Sequence, residues 1–186
     1  MKSTFAFAAL ALSLGGLVAA SSLLRHHDDH GANPSQMTWT EMRWPFPTDQ
    51  WGRGKAYRCS HVSCRAEVIL YLRAKLGFCD CTAGVADDDA LDRMSDFEIV
   101  GNDVAPLGDG HSIAVGQMKG RSRAYALLNP NAPGRAAISV AFNDRCDMVV
   151  ATAVFVHPQP ARIEPSVVEF LNTRTVLQWV EATLGL

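Results

Sequence analysis

The sequence predicts an α+β domain in which an antiparallel sheet of about four strands is covered by two helices. Four apolar or β-branched runs in the second half of the chain, separated by short turn sequences, predict the strands. Apolar residues at helical spacing predict one helix before this sheet and another after it. Runs of strands flanked by helices are typical of the α+β class.

The chain begins with an apolar, uncharged run that has the parts of a secretory signal peptide. Lys2 precedes the run, no charge follows before Arg25, and small residues favour cleavage between Ala20 and Ser21. We expect residues 1–20 to be removed and the protein to be exported, to the periplasm if it is bacterial, or secreted. The uncharged stretch is also close to the roughly 20 residues that span a bilayer, so an uncleaved anchor stays an alternative.

Residues 21–37 are polar and lack periodicity, which predicts a flexible linker. The linker contains a cluster of histidines and aspartates, His26, His27, Asp28, Asp29 and His30. Such groups bind divalent ions, but a disordered segment must lose chain entropy to close around one. We therefore expect a linker here, followed by a single globular α+β domain over residues 38–186.

Residues 38–54 are rich in large aromatic side chains and contain two prolines. The aromatic residues are Trp39, Trp44, Phe46 and Trp51. Proline excludes a helix interior and favours an extended backbone before it, so we expect these residues to form an aromatic strap packed over the domain. A platform for sugars or stacked bases is the alternative.

The first helix is expected after a short strand at residues 55–58. Ser63 offers an N-cap, and Gly77 offers a stop after Leu76. The apolar residues that recur at helical spacing between them are Val68, Ile69, Leu72 and Leu76. We expect this helix to cover the sheet.

The sheet is expected as a meander in the second half of the chain. The predicted strands are 112–118, 124–128, 136–142 and 147–156, and the predicted turns are 119–121, 130–134 and 143–145. Such short separations connect antiparallel neighbours, because a parallel return needs a crossover of roughly a dozen residues or more.

A second helical region is expected to open at Pro165, a residue tolerated in a first turn, and to break near Asn172 and Thr173. This ending, in which strand, turn and strand precede a long terminal helix, resembles the architecture of Mog1 and PsbP-type proteins. The resemblance concerns the fold alone, because no shared motif accompanies it, and it implies no function.

The predicted mature chain has an odd number of cysteines, which leaves at least one thiol unpaired or joined to another molecule. They are Cys59, Cys64, Cys79, Cys81 and Cys146. The predicted helix would hold Cys64 and Cys79 about 22 Å apart, beyond the reach of a disulfide. We expect one bridge between Cys59 and Cys64 and a second from Cys146 to either Cys79 or Cys81.

The Cys79-x-Cys81 pair also supports an alternative function in thiol or copper handling. Soft thiolates select Cu(I), and Met94 or Cys146 would complete a low-coordinate copper site. The acidic residues between Ala86 and Asp96 lack the calcium-loop pattern. We expect them to begin a short helix, where negative charge favours the N-terminal dipole.

Four basic residues are expected at turns, with Lys119, Arg121 and Arg123 at one hairpin tip and Arg145 at another turn. Together they would bind a phosphate, a carboxylate or an acidic partner. The formal net charge of −2 provides no global field for nucleic acid or an anionic membrane. We expect membrane contact only if the leader is uncleaved.

No catalytic motif accompanies the histidines of the expected domain, His61, His111 and His157. We therefore expect an exported, disulfide-stabilised and non-enzymatic domain that binds an unknown protein or small ligand within an envelope assembly and needs no cofactor. The alternatives are a thiol- or copper-handling protein and a hydrolase without a recognised motif.

Overall fold

A computed structural model describes residues 38–77, 81–101, 103–128, 134–156 and 159–186. The predicted signal peptide, the predicted linker, Cys79 and His157 lie outside these ranges. The described residues form an eight-stranded antiparallel sheet with helices on its faces. The predicted mixture of helices with an antiparallel sheet is confirmed, although the sheet has more strands than the four expected.

The strands are β1 Trp39–Met42, β2 Lys55–Cys59, β3 Val68–Lys75, β4 Val104–Pro106, β5 His111–Val115, β6 Met118–Leu127, β7 Arg135–Asp144 and β8 Asp147–Val156. The helices are α1 His61–Cys64, α2 Asp88–Met94, α3 Pro160–Leu171 and α4 Arg174–Leu184. The strand order is β1-β2-β3-β8-β7-β6-β4, and β5 also pairs with β6. The predicted meander is therefore extended by β3 and the two strands before it on one edge, and by β4 on the other.

Helices α3 and α4 cover one side of the sheet, which we call the helix face. Val68, Leu70 and Leu72 of β3 are fully buried there, in one cluster with Val167 of α3 and Val180 of α4. Burial of such aliphatic side chains contributes about 1.5–3 kcal/mol each. This face therefore holds the larger part of the core.

The terminal helices break at Asn172 and Thr173, as the sequence predicts. The start differs, because Pro160 lies in the first turn of α3 and Pro165 lies inside the helix. The Asn172 side chain accepts a hydrogen bond from the Gly116 N–H at 2.9 Å. The break between the helices is thereby tied to the turn between β5 and β6.

The other side of the sheet, which we call the strap face, is covered by α2 and by the aromatic strap. Trp44 and Phe46 pack on Tyr71 of β3, with ring centroids 6.0 and 4.9 Å apart. Trp39 belongs instead to β1 and stacks on Phe170 of α3 at 4.7 Å. The expected packing of the strap on the domain is confirmed for these rings, whose contacts are with the protein itself.

The predicted helix from Ser63 to Leu76 is wrong, because most of this segment is the central strand β3. Helix α1 has four residues, and Val68–Lys75 pairs with β2 on one side and β8 on the other. Both faces of β3 are covered, so its apolar residues do not alternate and their spacing also matches a helix. Pairing on both edges satisfies the backbone and decides for the strand.

The predicted turn at residues 119–121 is also wrong, because β6 runs through it. The hairpin turns at residues 116–117, where Gly116 has a φ of 58°. Gly120 serves a close approach instead, since a Cβ there would lie 2.7 Å from the Cβ of Phe142 on β7. Its role is to let neighbouring strands approach and not to reverse the chain.

Candidate functional site

Two disulfides are present, and both agree with the expected pairing. Cys59 bonds to Cys64 and closes the short loop that contains α1. Cys81 bonds to Cys146 and ties the segment before α2 to the hairpin between β7 and β8. Structural disulfides are typical of an oxidising, exported compartment. In the part of the chain that the structure describes, no helix has the length and apolarity needed to cross a membrane.

Of the ligands in the alternative copper site, Cys79 lies outside the described residues, and two of the others are in a disulfide. Cys81 and Cys146 are bonded to each other, so neither offers the thiolate that Cu(I) requires. Met94 lies partly buried in α2, against an apolar cluster that includes Met148. Within the described ranges, no group of three or more histidine, cysteine, aspartate or glutamate side chains is placed to hold a metal.

The basic residues expected at a hairpin tip lie along β6 and meet the acidic residues of α2. Arg121 Nε lies 2.5 Å from Asp88 Oδ1, and Arg123 Nη1 lies 3.0 Å from Asp92 Oδ2. The hydrogen bond from Arg121, together with one from the Gly110 N–H, lowers the pKa of Asp88. The charges of these two arginines therefore hold α2 on the sheet.

The other two basic residues have different surroundings, although Lys119 pairs in register with Asn143, two residues before Arg145. Lys119 is exposed on β6, whereas Arg145 lies in the turn between β7 and β8 and pairs with Asp144 at 3.1 Å.

The expected short helix in the acidic segment is present as α2, and the Asp87 side chain caps it by accepting a hydrogen bond from the Ala90 N–H. Such a cap stabilises a helix by about 1 kcal/mol.

Under the strap lies a set of charged side chains that we call the buried ion cluster, Arg73, Lys75 and Asp96. Each is less than 5% exposed. Lys75 Nζ lies 2.7 Å from Asp96 Oδ1, and Arg73 Nε lies 3.4 Å from Asp96 Oδ2. Arg73 also reaches Asp49 of the strap, Nη1 to Oδ2, at 2.6 Å.

Burial raises the pKa of Asp96, and the neighbouring charges of Lys75 and Arg73 oppose that rise. Lys75 also donates to the Met94 carbonyl at 2.7 Å and lies 5.8 Å from the centre of the Trp51 ring. The cluster connects β3, α2 and the strap, and its closed surroundings leave it no access to a ligand. We assign it a structural role.

The two described histidines occupy separate surroundings. His61 is exposed on α1, and His111 Nε2 lies 3.2 Å from Glu164 Oε1. Among the described residues, neither imidazole forms a hydrogen bond with a serine, threonine or cysteine side chain. These histidines therefore provide no nucleophile and base pair for the hydrolase alternative.

The opening best suited to a ligand is a depression of about 590 Å³ where β3 begins, β8 ends and β7 begins. We call it the basic groove. Its apolar floor is formed by Ile69, Val154 and Val156, and the charged residues around it are Arg65, Glu67 and Arg135. Ile69 and Tyr71 alternate along β3, which places this floor on the strap face. The groove begins where the cover of α2 and the strap ends.

The charges around the basic groove do not cancel. Arg58 pairs with Glu67, Nη2 to Oε1, at 2.8 Å and neutralises the acidic member of the groove. Arg65 and Arg135 have no acidic partner among the residues that the structure describes. The groove therefore combines an apolar floor with a surplus of positive charge.

The wall of the groove that carries Arg65 is fixed by covalent and backbone constraints. The disulfide between Cys59 and Cys64 closes the loop immediately before it. Arg65 itself has a φ of 60°, the left-handed conformation that ends α1. The loop also leaves Val62 93% exposed at its tip. A rigid loop of this kind presents its side chains to a partner with little loss of entropy.

Two other depressions are less suited to a ligand. One of about 600 Å³ lies along the strap, where Trp44 and Phe46 already pack on Tyr71 and Arg53 donates to Thr48 at 3.0 Å. One of about 300 Å³ lies beside the His111 and Glu164 pair. In both, most groups able to recognise a ligand already contact other parts of the protein.

Comparison with known proteins identifies no relative, since no protein-family model matches the chain and no curated protein shows significant similarity to it. The assignment of the site therefore depends on its own geometry. Sequence reasoning missed Arg65 and Arg135 because the first was placed in a helix and the second was not considered. If Val68–Lys75 had been interpreted as a strand, Arg65 would have been placed in the loop before it and recognised as a candidate site residue.

Proposed function

We propose that this protein is an exported, disulfide-stabilised and non-enzymatic binding domain whose ligand occupies the basic groove. The observation that carries the proposal is the pair Arg65 and Arg135, two arginines without acidic partners among the described residues, beside an apolar floor. A guanidinium binds carboxylate, sulfonate or phosphate oxygens through two parallel hydrogen bonds. An apolar floor adds affinity for a hydrocarbon or aromatic body.

The expected ligand is therefore an amphipathic anion, in which a negative group lies next to an apolar one. A purely charged ligand would leave Ile69 and Val156 exposed, and a purely apolar one would bury the arginines without a partner. Val156 is 47% exposed, so covering it removes apolar surface from water. Affinity and specificity then come from different parts of one groove.

The groove can be tested with anilinonaphthalene sulfonate, a fluorescent amphipathic anion. We expect the oxidised, folded protein to bind the dye, and the double variant Arg65→Glu, Arg135→Glu to bind it at least about tenfold more weakly, because charge-assisted hydrogen bonds become repulsion. Fluorescence titration measures the affinity, and near-ultraviolet circular dichroism verifies that each variant is folded.

The matched control is the double variant Arg162→Glu, Arg174→Glu, which changes the net charge equally. Both control arginines are exposed and lie on α3 and α4, the helices that cover the helix face. We expect this variant to bind the dye as the unmodified protein does. Equal losses in the two double variants, or no loss in the groove variant, would rule out the groove as the ligand site.

The export part of the proposal is tested on the protein recovered from its native host. We expect N-terminal sequencing to begin at Ser21, because the residues before it have the pattern that signal peptidase cleaves. A chain that still begins at Met1 and fractionates with membranes would contradict cleavage and support the membrane anchor.

A further inference from the structure

The shape of the basic groove points to the class of its ligand, and this inference rests on the proposed function. We infer that the ligand is a segment of another protein in which acidic and apolar side chains alternate, and that it contacts both the groove and the exposed Val62. Its acidic groups pair with Arg65 and Arg135, and its apolar groups cover the floor and Val62.

The basic groove is open to solvent on one side. Small ligands are held in concave sites that bury roughly 70–90% of their surface. The basic groove instead lies at the end of three strands, and Val156 on its floor is still 47% exposed. A depression of this form covers one side of a ligand, which is the geometry of a contact with a larger partner.

Val62 is an exposed apolar side chain that does not line the groove. It is 93% exposed on the loop held by the Cys59–Cys64 disulfide, three residues before Arg65. A ligand confined to the groove gains nothing from this side chain. A protein segment that continues past Arg65 buries it, and a valine on a rigid loop loses little entropy on binding.

The charges of the groove also favour a protein partner. Arg65 and Arg135, which lack an acidic partner among the described residues, select a partner that carries carboxylates. Nucleic acid is disfavoured, because no tyrosine or tryptophan is among the described residues that line the groove, and Phe155 there is buried and offers no stacking surface. An anionic membrane is disfavoured, because membrane-binding surfaces need several clustered basic residues with more exposed apolar area.

The inference can be tested with a synthetic peptide of alternating aspartate and leucine and with its matched version of asparagine and leucine, both blocked at their ends. We expect the acidic peptide to bind, and the neutral peptide to bind at least about tenfold more weakly. Isothermal titration calorimetry measures both, and vesicles containing phosphatidylglycerol test the membrane alternative by co-sedimentation.

The deciding variant is Val62→Ser, a change at an exposed position that leaves the core intact. We expect it to weaken the acidic peptide by about tenfold, because the burial of a valine is lost, and to leave the affinity for anilinonaphthalene sulfonate unchanged. The matched control is Leu186→Ser, at another exposed apolar position. Val100→Ser would not serve as a control, because that side chain packs on a core cluster.

The outcomes separate this inference from the proposed function. If the dye binds through Arg65 and Arg135 but the acidic peptide fails to bind, or binds independently of Val62, the protein-segment inference is wrong and the groove remains a small-ligand site. Vesicle binding that is lost in the groove variant would also overturn it, in favour of a membrane. If neither dye nor peptide depends on the arginines, both proposals fail.

Discussion

Replacing Asp96 with alanine is expected to destabilise the protein by about 3–5 kcal/mol, the usual cost of removing one partner from a buried ion pair. Lys75 and Arg73 would remain buried, at 4% and 1% exposure, without the carboxylate that both contact. Urea unfolding followed by circular dichroism measures the change. The free energy of unfolding should fall without a change in the denaturant dependence of a two-state transition.

The matched control is Asp49→Ala, which removes the other carboxylate that contacts Arg73. The Asp49 side chain is 42% exposed, so water can take its place beside Arg73, and Asp96 remains as the counter-charge of that buried guanidinium. We therefore expect a much smaller loss of stability than at Asp96. Similar losses at the two positions would mean that the buried ion cluster is not the element that holds the strap face together.

Removal of the Cys81–Cys146 disulfide is expected to cost about 4 kcal/mol, whereas removal of the Cys59–Cys64 disulfide should cost about 2 kcal/mol. The difference follows from loop length, because the first bridge joins residues 65 apart and the second joins residues 5 apart. Closing a longer loop removes more conformational freedom from the unfolded chain.

The comparison uses the double serine variants of each bridge, both in a Cys79→Ser background so that no thiol exchanges with the remaining disulfide. Urea unfolding measures stability, and the dye titration measures the groove. We expect the Cys59 and Cys64 variant to lose dye affinity despite its smaller loss of stability, since this bridge fixes the loop immediately before Arg65. The reverse order of stabilities would contradict the loop-length argument.

The fold was predictable from sequence where a segment has a strong strand-forming composition or a clear terminator. Residues 147–156 form the expected strand because they are rich in β-branched residues and follow a turn sequence, and the helices break at Asn172 as expected. Val68–Lys75 was mistaken for a helix because a central strand buried on both faces has no period of two. Its partners β2 and β8 decide the conformation, and neither is visible in a local window.

The site was harder to predict, because only the tertiary structure decides which charged side chains form an ion pair with an opposite charge. Arg121 and Arg123 belong to a basic cluster in the sequence, yet Asp88 and Asp92 neutralise them in the fold. Arg65 and Arg135 are far apart in the chain and meet only because β3, β8 and β7 are neighbours. The disulfide pairing was predicted correctly, although the helix used to exclude a Cys64–Cys79 bridge is in fact the strand β3.

The pairing of β3 with β8 has a consequence for the order of folding. Val68 pairs with Phe155, so the first three strands cannot join the sheet until its last strand has been synthesised. Pairings between residues so distant in sequence are slow to form, because a long loop must close before any contact stabilises it. A nascent chain with this topology can form local hairpins early, but it cannot complete its sheet until near the end of translation.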